Sequence, residues 1–138
     1  GTRGDQPGQF HTPHGIDLDA SGNVYVADRE NNRIQKFDAN GKFISSWKND
    51  RAEQLYSLTI NKSSNEVFAV DYLTQLKVKP LGSDIMHFDT SLHFISRFGR
   101  SGQYEGPLSR YHDIAVDNEG NIYVGDILNN NIQKFSKR

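Results

Sequence analysis

The feature that most constrains this chain is an internal repeat. The stretch IDLDASGNVYVAD, residues 16–28, matches IAVDNEGNIYVGD, residues 114–126, without a gap. A more divergent third copy, LTINKSSNEVFAVD, occupies residues 58–71. The outer copies lie 98 residues apart, and the middle copy lies 43 residues after the first. Units of about 45 residues are typical of the blades of radially repeated β-structures. The sequence therefore predicts one domain of three repeats in 138 residues.

Each unit has the pattern of short antiparallel strands. Apolar residues alternate with polar ones, as expected of half-buried strands, and no segment has helical periodicity. The segments DASGN and DNEGN each place a glycine before an asparagine, which is typical of hairpin turns. The sequence therefore predicts an all-β fold, a β-propeller segment with three blades at about 10–47, 52–98 and 108–138. An insertion, residues 73–84, is expected to extend a turn of the middle blade.

An aspartate ends the second predicted strand of every unit. These residues are Asp28, Asp71 and Asp126. An aspartate that recurs in all units is more typical of a structural turn bond than of a catalytic group. We therefore expect the three carboxylates to hold the turns of their own blades.

Three blades do not close a ring. Propellers close with about four to eight blades, and three alone expose two apolar sheet faces, which a stable monomer rarely does. The last unit also lacks a counterpart of the outer-strand segments KFISSW and HFISRF, whose Trp47 and Phe98 are expected to be packing residues. We expect either a homodimer that completes a six-bladed ring, or a segment of a longer chain that carries further blades.

Composition argues against two classes of partner. The chain has 16 Lys and Arg against 17 Asp and Glu, and the two signs are intermixed. It therefore has no basic stripe for the phosphates of nucleic acid. No segment approaches the roughly 20 apolar residues of a membrane-spanning helix. Cysteine is absent, which excludes disulfides and thiolate chemistry but leaves the compartment open.

Two histidines occupy equivalent positions of the repeat. His14 in TPHGID and His112 in SRYHDI each lie just before the strand that is expected to be innermost, and the middle unit has Tyr56 at this position. Innermost strands line the central channel of a propeller, so both imidazoles are expected to face the axis. Two neutral imidazoles placed in this way are suited to share a zinc ion. The alternative is that each histidine hydrogen-bonds the adjacent loop.

The two outer units resemble a known family. The segments PHGIDLDASGNVYVADRENNRIQKF and YHDIAVDNEGNIYVGDILNNNIQKF resemble NHL repeats and, more specifically, segments of the peptidyl-α-hydroxyglycine α-amidating lyases. The resemblance covers nearly the whole chain and about half of the lyase catalytic domain. It implies a six-bladed propeller with a central zinc ion held by three histidines from three blades. It also implies cleavage of peptidyl-α-hydroxyglycine to a peptide amide and glyoxylate, and a secreted or extracytoplasmic location.

The resemblance also implies roles for individual residues. His14 and His112 fall on two of the three zinc ligands, and Arg29 falls on the catalytic arginine. A guanidinium suits that role because it forks onto a substrate carboxylate and stays charged. The residues alone also allow Arg29 to be a solvated turn residue. Asp113 falls on an aspartate that takes part in a structural calcium site, with orientation of the neighbouring loop as its alternative role.

The chain departs from the lyase pattern in several places. The third zinc-binding histidine and the catalytic tyrosine of the family belong to blades that are absent here. Animal lyases have a cysteine pair where this chain has Tyr25 and Lys36, and a family methionine near the second zinc ligand is Arg110 here. We therefore expect weak or no lyase activity from this chain alone.

Two classes of function follow from these observations. The first is a segment or half-ring of a zinc-dependent lyase that acts on a peptide substrate. The second is a non-catalytic NHL-repeat module whose loops bind a protein or a peptide at one end of the ring. Zinc content distinguishes them, because only the first requires a metal ion.

Overall fold

A computed structural model of the chain describes residues 1–51, 54–72, 82–101 and 107–137, which form three antiparallel sheets. The first sheet contains β1 (Pro13–Leu18), β2 (Val24–Asp28), β3 (Arg33–Phe37) and β4 (Phe43–Lys48). The second contains β5 (Gln54–Asn61), β6 (Glu66–Tyr72), β7 (Gly82–Asp89) and β8 (Phe94–Ser101). The third contains β9 (Tyr111–Val116), β10 (Ile122–Asp126) and β11 (Asn131–Phe135).

The predicted fold class is confirmed. Neighbouring strands of each sheet follow one another in the chain, as in the blades of a propeller. The described ranges contain no helix, and hence none of the length and hydropathy that a membrane crossing requires. Most of the insertion predicted in the middle blade, residues 73–81, lies outside the described residues.

The hairpin turns depend on two glycines at equivalent positions. Gly22 and Gly120 have φ angles of 82° and 85°, a left-handed conformation that glycine adopts without strain. In both turns an aspartate, Asp19 or Asp117, accepts backbone hydrogen bonds from the residues two and four positions further along. The turns predicted at DASGN and DNEGN are therefore present in the structure.

The core lies on both faces of the middle sheet. Successive residues of a strand point to opposite faces, so Leu55 of β5 joins the cluster against the first sheet and Tyr56 joins the cluster against the third. Strands β5 and β6 are buried along almost their whole length. The unit with the most divergent repeat sequence is therefore the one that holds the other two together.

Aromatic residues of the outer strands fill the gaps between sheets. Trp47 on β4 lies 4.7 Å, between ring centroids, from Phe88 of the second sheet. Phe98 on β8 lies 5.6 Å from Phe135 of the third sheet. Both residues are packing residues, as predicted.

Tyr25 and Lys36 are paired across β2 and β3. The Lys36 ammonium lies 5.3 Å from the centroid of the Tyr25 ring, which is a cation–π contact. The resemblance implies a cysteine pair at these two positions in animal lyases. Here a non-covalent contact joins the same two strand positions.

The two outer sheet faces are covered to different extents. On the first sheet, the buried Gln35 side chain accepts a hydrogen bond from the backbone of Gly8 and donates one to the backbone of Gln9. The N-terminal segment therefore covers part of this face, which the sequence did not predict. On the third sheet, Ile132 is 78% exposed, as expected of an open blade face.

Buried aspartates hold the loops that precede the innermost strands. Asp28 accepts a hydrogen bond of 2.7 Å from the backbone of His11, and Asp126 accepts one of 3.1 Å from the backbone of Arg110. Each also accepts a side-chain bond from an asparagine three residues further along. Asp71 of the middle sheet instead binds the Asp84 backbone and the Arg97 guanidinium. Asp28 and Asp126 therefore hold turns of their own blades, as predicted, whereas the structural bonds of Asp71 join β6 to β7 and β8.

Replacement of Gly15 by alanine should destabilise the interface between β1 and β5. A Cβ atom at Gly15 would lie 2.7 Å from the Cα atom of Ser57 and 3.2 Å from the Tyr56 carbonyl oxygen. We expect Gly15→Ala to lower the free energy of unfolding by about 1–3 kcal/mol, because the backbone of β1 or β5 must move to make room for the Cβ atom. Urea denaturation measures this change.

Gly125→Ala is the matched control for this substitution. A Cβ atom at Gly125 meets nothing within 4 Å, and the equivalent residue of the first repeat is already alanine, Ala27. We expect the Gly125→Ala chain to be unchanged or more stable by up to about 1 kcal/mol. Equal stability of the two variants would contradict the close approach at Gly15.

The charge of Asp126 should make stability fall in acid. Burial by itself raises its pKa, but hydrogen bonds, first from the Asn129 side chain and then from the Arg110 backbone, lower the pKa from 3.8 to about 2. A group whose pKa is lower in the folded state stabilises the fold above about pH 4, and this stabilisation is lost as the pH falls towards 2. For Asp126 the stabilisation is about 2 kcal/mol. Asp126→Asn should lower the free energy of unfolding at pH 7 by this amount.

Urea unfolding at several pH values tests this expectation. The difference between the original chain and Asp126→Asn should shrink between pH 4 and pH 2, because the carboxylate becomes protonated there. The exposed Asp50, replaced by Asn, is the control and should leave the acid dependence unchanged. A stability difference that stays constant over this range would show that the ionised carboxylate is not what matters.

Candidate functional site

The innermost strands β1, β5 and β9 lie side by side, and each carries one residue of the candidate site. The ring centroids of His14 and His112 are 5.0 Å apart, and each lies 5.3 Å from the ring centroid of Tyr56. The three rings therefore form a nearly equilateral triangle, and Tyr56 is buried. The structure therefore brings together the three residues that occupy equivalent positions of the repeat.

A backbone carbonyl fixes the orientation of His14. Its Nδ1 atom lies 2.6 Å from the Tyr56 carbonyl oxygen. A carbonyl oxygen only accepts, so Nδ1 carries the proton and, in the neutral ring, Nε2 keeps its lone pair. A carbonyl bond of this kind is typical of metal-binding histidines. Nε2 is therefore the His14 atom that is suited to bind a metal ion.

His112 lies in a positively charged environment. Burial lowers its pKa, and the neighbouring His14, Arg110 and Arg29 lower it further, while Asp113 opposes them. A lowered pKa keeps the imidazole neutral at pH 7, which is the form that binds metal ions.

Asp113 connects the strand of His112 to the middle sheet. Its Oδ1 atom accepts a hydrogen bond of 2.7 Å from the Ser57 hydroxyl and one of 2.9 Å from the backbone of Ile114. These bonds fix β9 against β5 beside the histidine. They agree with an orienting role, and the calcium site implied by the resemblance stays a prediction.

The donor set fits part of a zinc site. Catalytic zinc ions usually have three protein ligands. Within the described ranges there is no group of three or more His, Cys, Asp or Glu that could hold a metal ion. The third innermost position is Tyr56, whose hydroxyl is already bonded to Arg110. His14 and His112 would therefore supply two ligands if zinc binds here, and a complete site would need a third from other blades.

Arg29 lies beside this site rather than in solvent. Its guanidinium carbon is 5.6 Å from the Tyr56 ring centroid. Its Nε and Nη2 atoms donate to Glu30 at 2.9 Å and 2.7 Å, and the Gln54 amide donates to the same carboxylate at 2.9 Å. Sequence reasoning did not identify Glu30 and Gln54, because their contact joins two different blades.

Arg110 is a site residue that sequence reasoning treated only as a departure from the family. Its guanidinium carbon lies 5.5 Å from the Tyr56 ring centroid and 4.9 Å from that of Tyr72. Its Nη2 atom donates to the Tyr56 hydroxyl at 3.1 Å. The sequence did contain a signal, because a positive charge two residues before a predicted metal ligand repels a metal cation.

Comparisons with known proteins agree with this architecture. Residues 10–37 match the family model of the NHL repeat. The chain is 32% identical over 145 aligned positions to peptidyl-glycine alpha-amidating monooxygenase B of Xenopus laevis. That alignment covers 95% of this chain and 15% of that protein. It is 31% identical over 140 positions to peptidyl-alpha-hydroxyglycine alpha-amidating lyase 1 of Drosophila melanogaster. This second alignment covers 94% of this chain and 25% of that protein.

A solved structure shows the same fold. The crystal structure of virginiamycin B lyase from Staphylococcus aureus matches 91% of this chain and 41% of that chain with a TM-score of 0.61, at 18% sequence identity. The chain thus has a β-propeller fold with an NHL repeat at residues 10–37, and it is similar in sequence to the peptidyl-α-hydroxyglycine α-amidating lyases. It spans a quarter or less of the length of these two sequence relatives.

We predict that the isolated chain binds zinc weakly, through His14 and His112. Two protein ligands hold zinc less tightly than three. After removal of metal with a chelator, competition with a zinc-binding dye should reveal this affinity. His14→Ala and His112→Ala should each lower it at least about tenfold.

His93 provides the control for zinc binding. Its side chain is 79% exposed and pairs with Asp89, away from the candidate site. His93→Ala should bind zinc as the original chain does. Tight, stoichiometric zinc in a chain that lacks both His14 and His112 would show that the site is elsewhere.

Proposed function

We propose that this chain is a segment of a zinc-dependent lyase that cleaves peptidyl-α-hydroxyglycine to a peptide amide and glyoxylate. The observation that carries the proposal is the convergence of His14, His112 and Arg29 around Tyr56. These residues match the lyase motifs, and the sequence similarity to two amidating proteins extends over at least 94% of the chain.

The metal would be held by His14 Nε2, by His112 and by a ligand from another blade. When bound, zinc supplies Lewis acidity at a substrate oxygen. The residues of this chain provide the framework: the Tyr56 carbonyl fixes the His14 ring, and the Ser57–Asp113 bond fixes the strand of His112. A calcium ion at Asp113 would strengthen that second support.

Arg29 would bind the carboxylate of the substrate. A planar guanidinium binds a carboxylate through two parallel hydrogen bonds, and its charge does not change at working pH. Glu30 holds one edge of the guanidinium and is itself held by Gln54, so Arg29 is oriented before a ligand arrives. The group that accepts the proton would come from a blade outside this chain.

The remainder of the ring would supply what this chain lacks. Ile132 on the third sheet is exposed and needs a neighbouring blade. A symmetric dimer would complete six blades, but it would place Tyr56 of the second copy where the third histidine is required. We therefore favour a longer chain with further blades over a homodimer as the source of the third ligand.

A non-catalytic NHL-repeat module that binds a protein or a peptide is the second candidate. The observation that favours it is the donor count, since the described part of the chain holds no group of three metal-binding residues. In this case the loops at one end of the ring would form the binding surface.

A lyase assay separates the two candidates. The chain alone should release little or no glyoxylate from a peptidyl-α-hydroxyglycine. The chain joined to the missing blades of a lyase relative should release it, because the third ligand and the base are then present. In this completed ring, Arg29→Lys should lower kcat/KM about a hundredfold, because lysine keeps the charge and loses the fork.

The exposed Arg3 is the control for this substitution, and Arg3→Lys should leave kcat/KM unchanged. An inactive completed ring that nevertheless binds zinc would favour the interaction module. Full activity of the Arg29→Lys ring would remove Arg29 from the proposed mechanism.

A further inference from the structure

Arg110 is a half-buried cation without an anionic partner. Within the described residues its guanidinium makes one hydrogen bond, from Nη2 to the Tyr56 hydroxyl, and pairs with no carboxylate. Its Nε atom is buried and has no hydrogen-bond partner in the described part of the chain. A buried donor left without a partner destabilises the fold, and a charged donor does so more strongly. Such a group is expected to have a ligand.

Three other arginines of the described residues are paired with carboxylates. Arg29, Arg33 and Arg97 each place a guanidinium nitrogen 2.7, 2.8 and 2.6 Å, respectively, from a carboxylate oxygen. These three cations are therefore neutralised within the fold. Arg110 contributes an uncompensated positive charge at the point where the innermost strands meet.

Arg110 is also held in place before any ligand binds. Its backbone N–H donates to Asp126, and its carbonyl accepts a bond of 3.0 Å from the backbone of Ile127. The guanidinium packs on the rings of Tyr56 and Tyr72, at 5.5 Å and 4.9 Å from their centroids. Both ends of the side chain are therefore fixed, which lowers the entropic cost of binding.

A second guanidinium lies on the same ring. The Arg29 carbon is 5.6 Å from the Tyr56 centroid, nearly the same distance as that of Arg110. The two arginines come from different blades. Within the described residues the pair has one carboxylate partner, Glu30, which binds Arg29. The pair therefore favours an anion, and a planar carboxylate matches the geometry of guanidinium donors.

We infer that Arg110 acts with Arg29 as a second carboxylate-binding residue, and that the ligand is a peptide with a free C-terminal carboxylate. The resemblance places a methionine at this position, so it assigns no such role to Arg110. The identification of the ligand as a peptide rests on the proposed function. The binding of a carboxylate rests on the unpaired guanidinium.

The test measures peptide binding by the full chain after removal of metal. The probes are a short fluorescent peptide that ends in glycine with a free carboxylate, and the same peptide as its amide. We expect the acid to bind at least about tenfold more tightly than the amide, because only the acid pairs with both guanidiniums. Arg110→Met should remove this preference, since methionine keeps much of the packing volume and loses the charge.

Two further variants control for the fold and for charge in general. Arg110→Lys keeps the charge without the fork and should retain only part of the preference for the acid. Arg3→Met removes an exposed cation outside the site and should bind both peptides as the original chain does. Unfolding midpoints in urea show which variants are folded. Equal binding of acid and amide by the original chain would overturn the inference.

The completed ring separates this inference from the proposed function. A preference for the acid that depends on Arg110, in a ring without lyase activity, would support the carboxylate site and reject the lyase. An active ring that depends on Arg29 but has the same KM in Arg110→Met would support the lyase and reject the role of Arg110. If inorganic phosphate and acetate displace the acid peptide equally well, the site binds small anions only. That result would overturn the assignment to a peptide.

Discussion

The candidate site depends on a buried aspartate at the end of the second strand in each outer blade. Asp28 and Asp126 bind the backbone of the loop that enters the innermost strand. A buried carboxylate that lacked these donors would be strongly destabilising, so the loop has little freedom to move. The same bond in two blades places His14 and His112 at equivalent points, and the packing of the innermost strands brings their rings within 5.0 Å.

The middle sheet turns this local repetition into a site. It packs on both neighbours, so the Tyr56 ring contacts both histidine rings and its carbonyl orients one of them. Gly15 allows β1 to approach β5 closely enough for this bond.

Electrostatics distinguishes the two arginines on Tyr56. Arg29 is neutralised by Glu30, and Arg110 is not paired with a carboxylate in the described part of the chain. Their shared position beside two imidazoles suits a ligand that offers a carboxylate to arginine and an oxygen to a metal ion. An α-hydroxyglycine has both groups, which connects the proposed lyase function to the inferred role of Arg110.

The sequence by itself determined the strands, the hairpin glycines, the division into three units and the equivalence of His14, Tyr56 and His112. These features are local or repeated, so a period and a turn pattern are sufficient to reveal them. Only the tertiary structure decided that residues 1–12 cover part of the first sheet, that Gln54 of the second blade holds Glu30, the partner of Arg29, and that Arg110 reaches Tyr56 without a carboxylate partner among the described residues. Each of these contacts joins segments far apart in sequence or different blades, and no spacing rule encodes which side chains meet across such an interface.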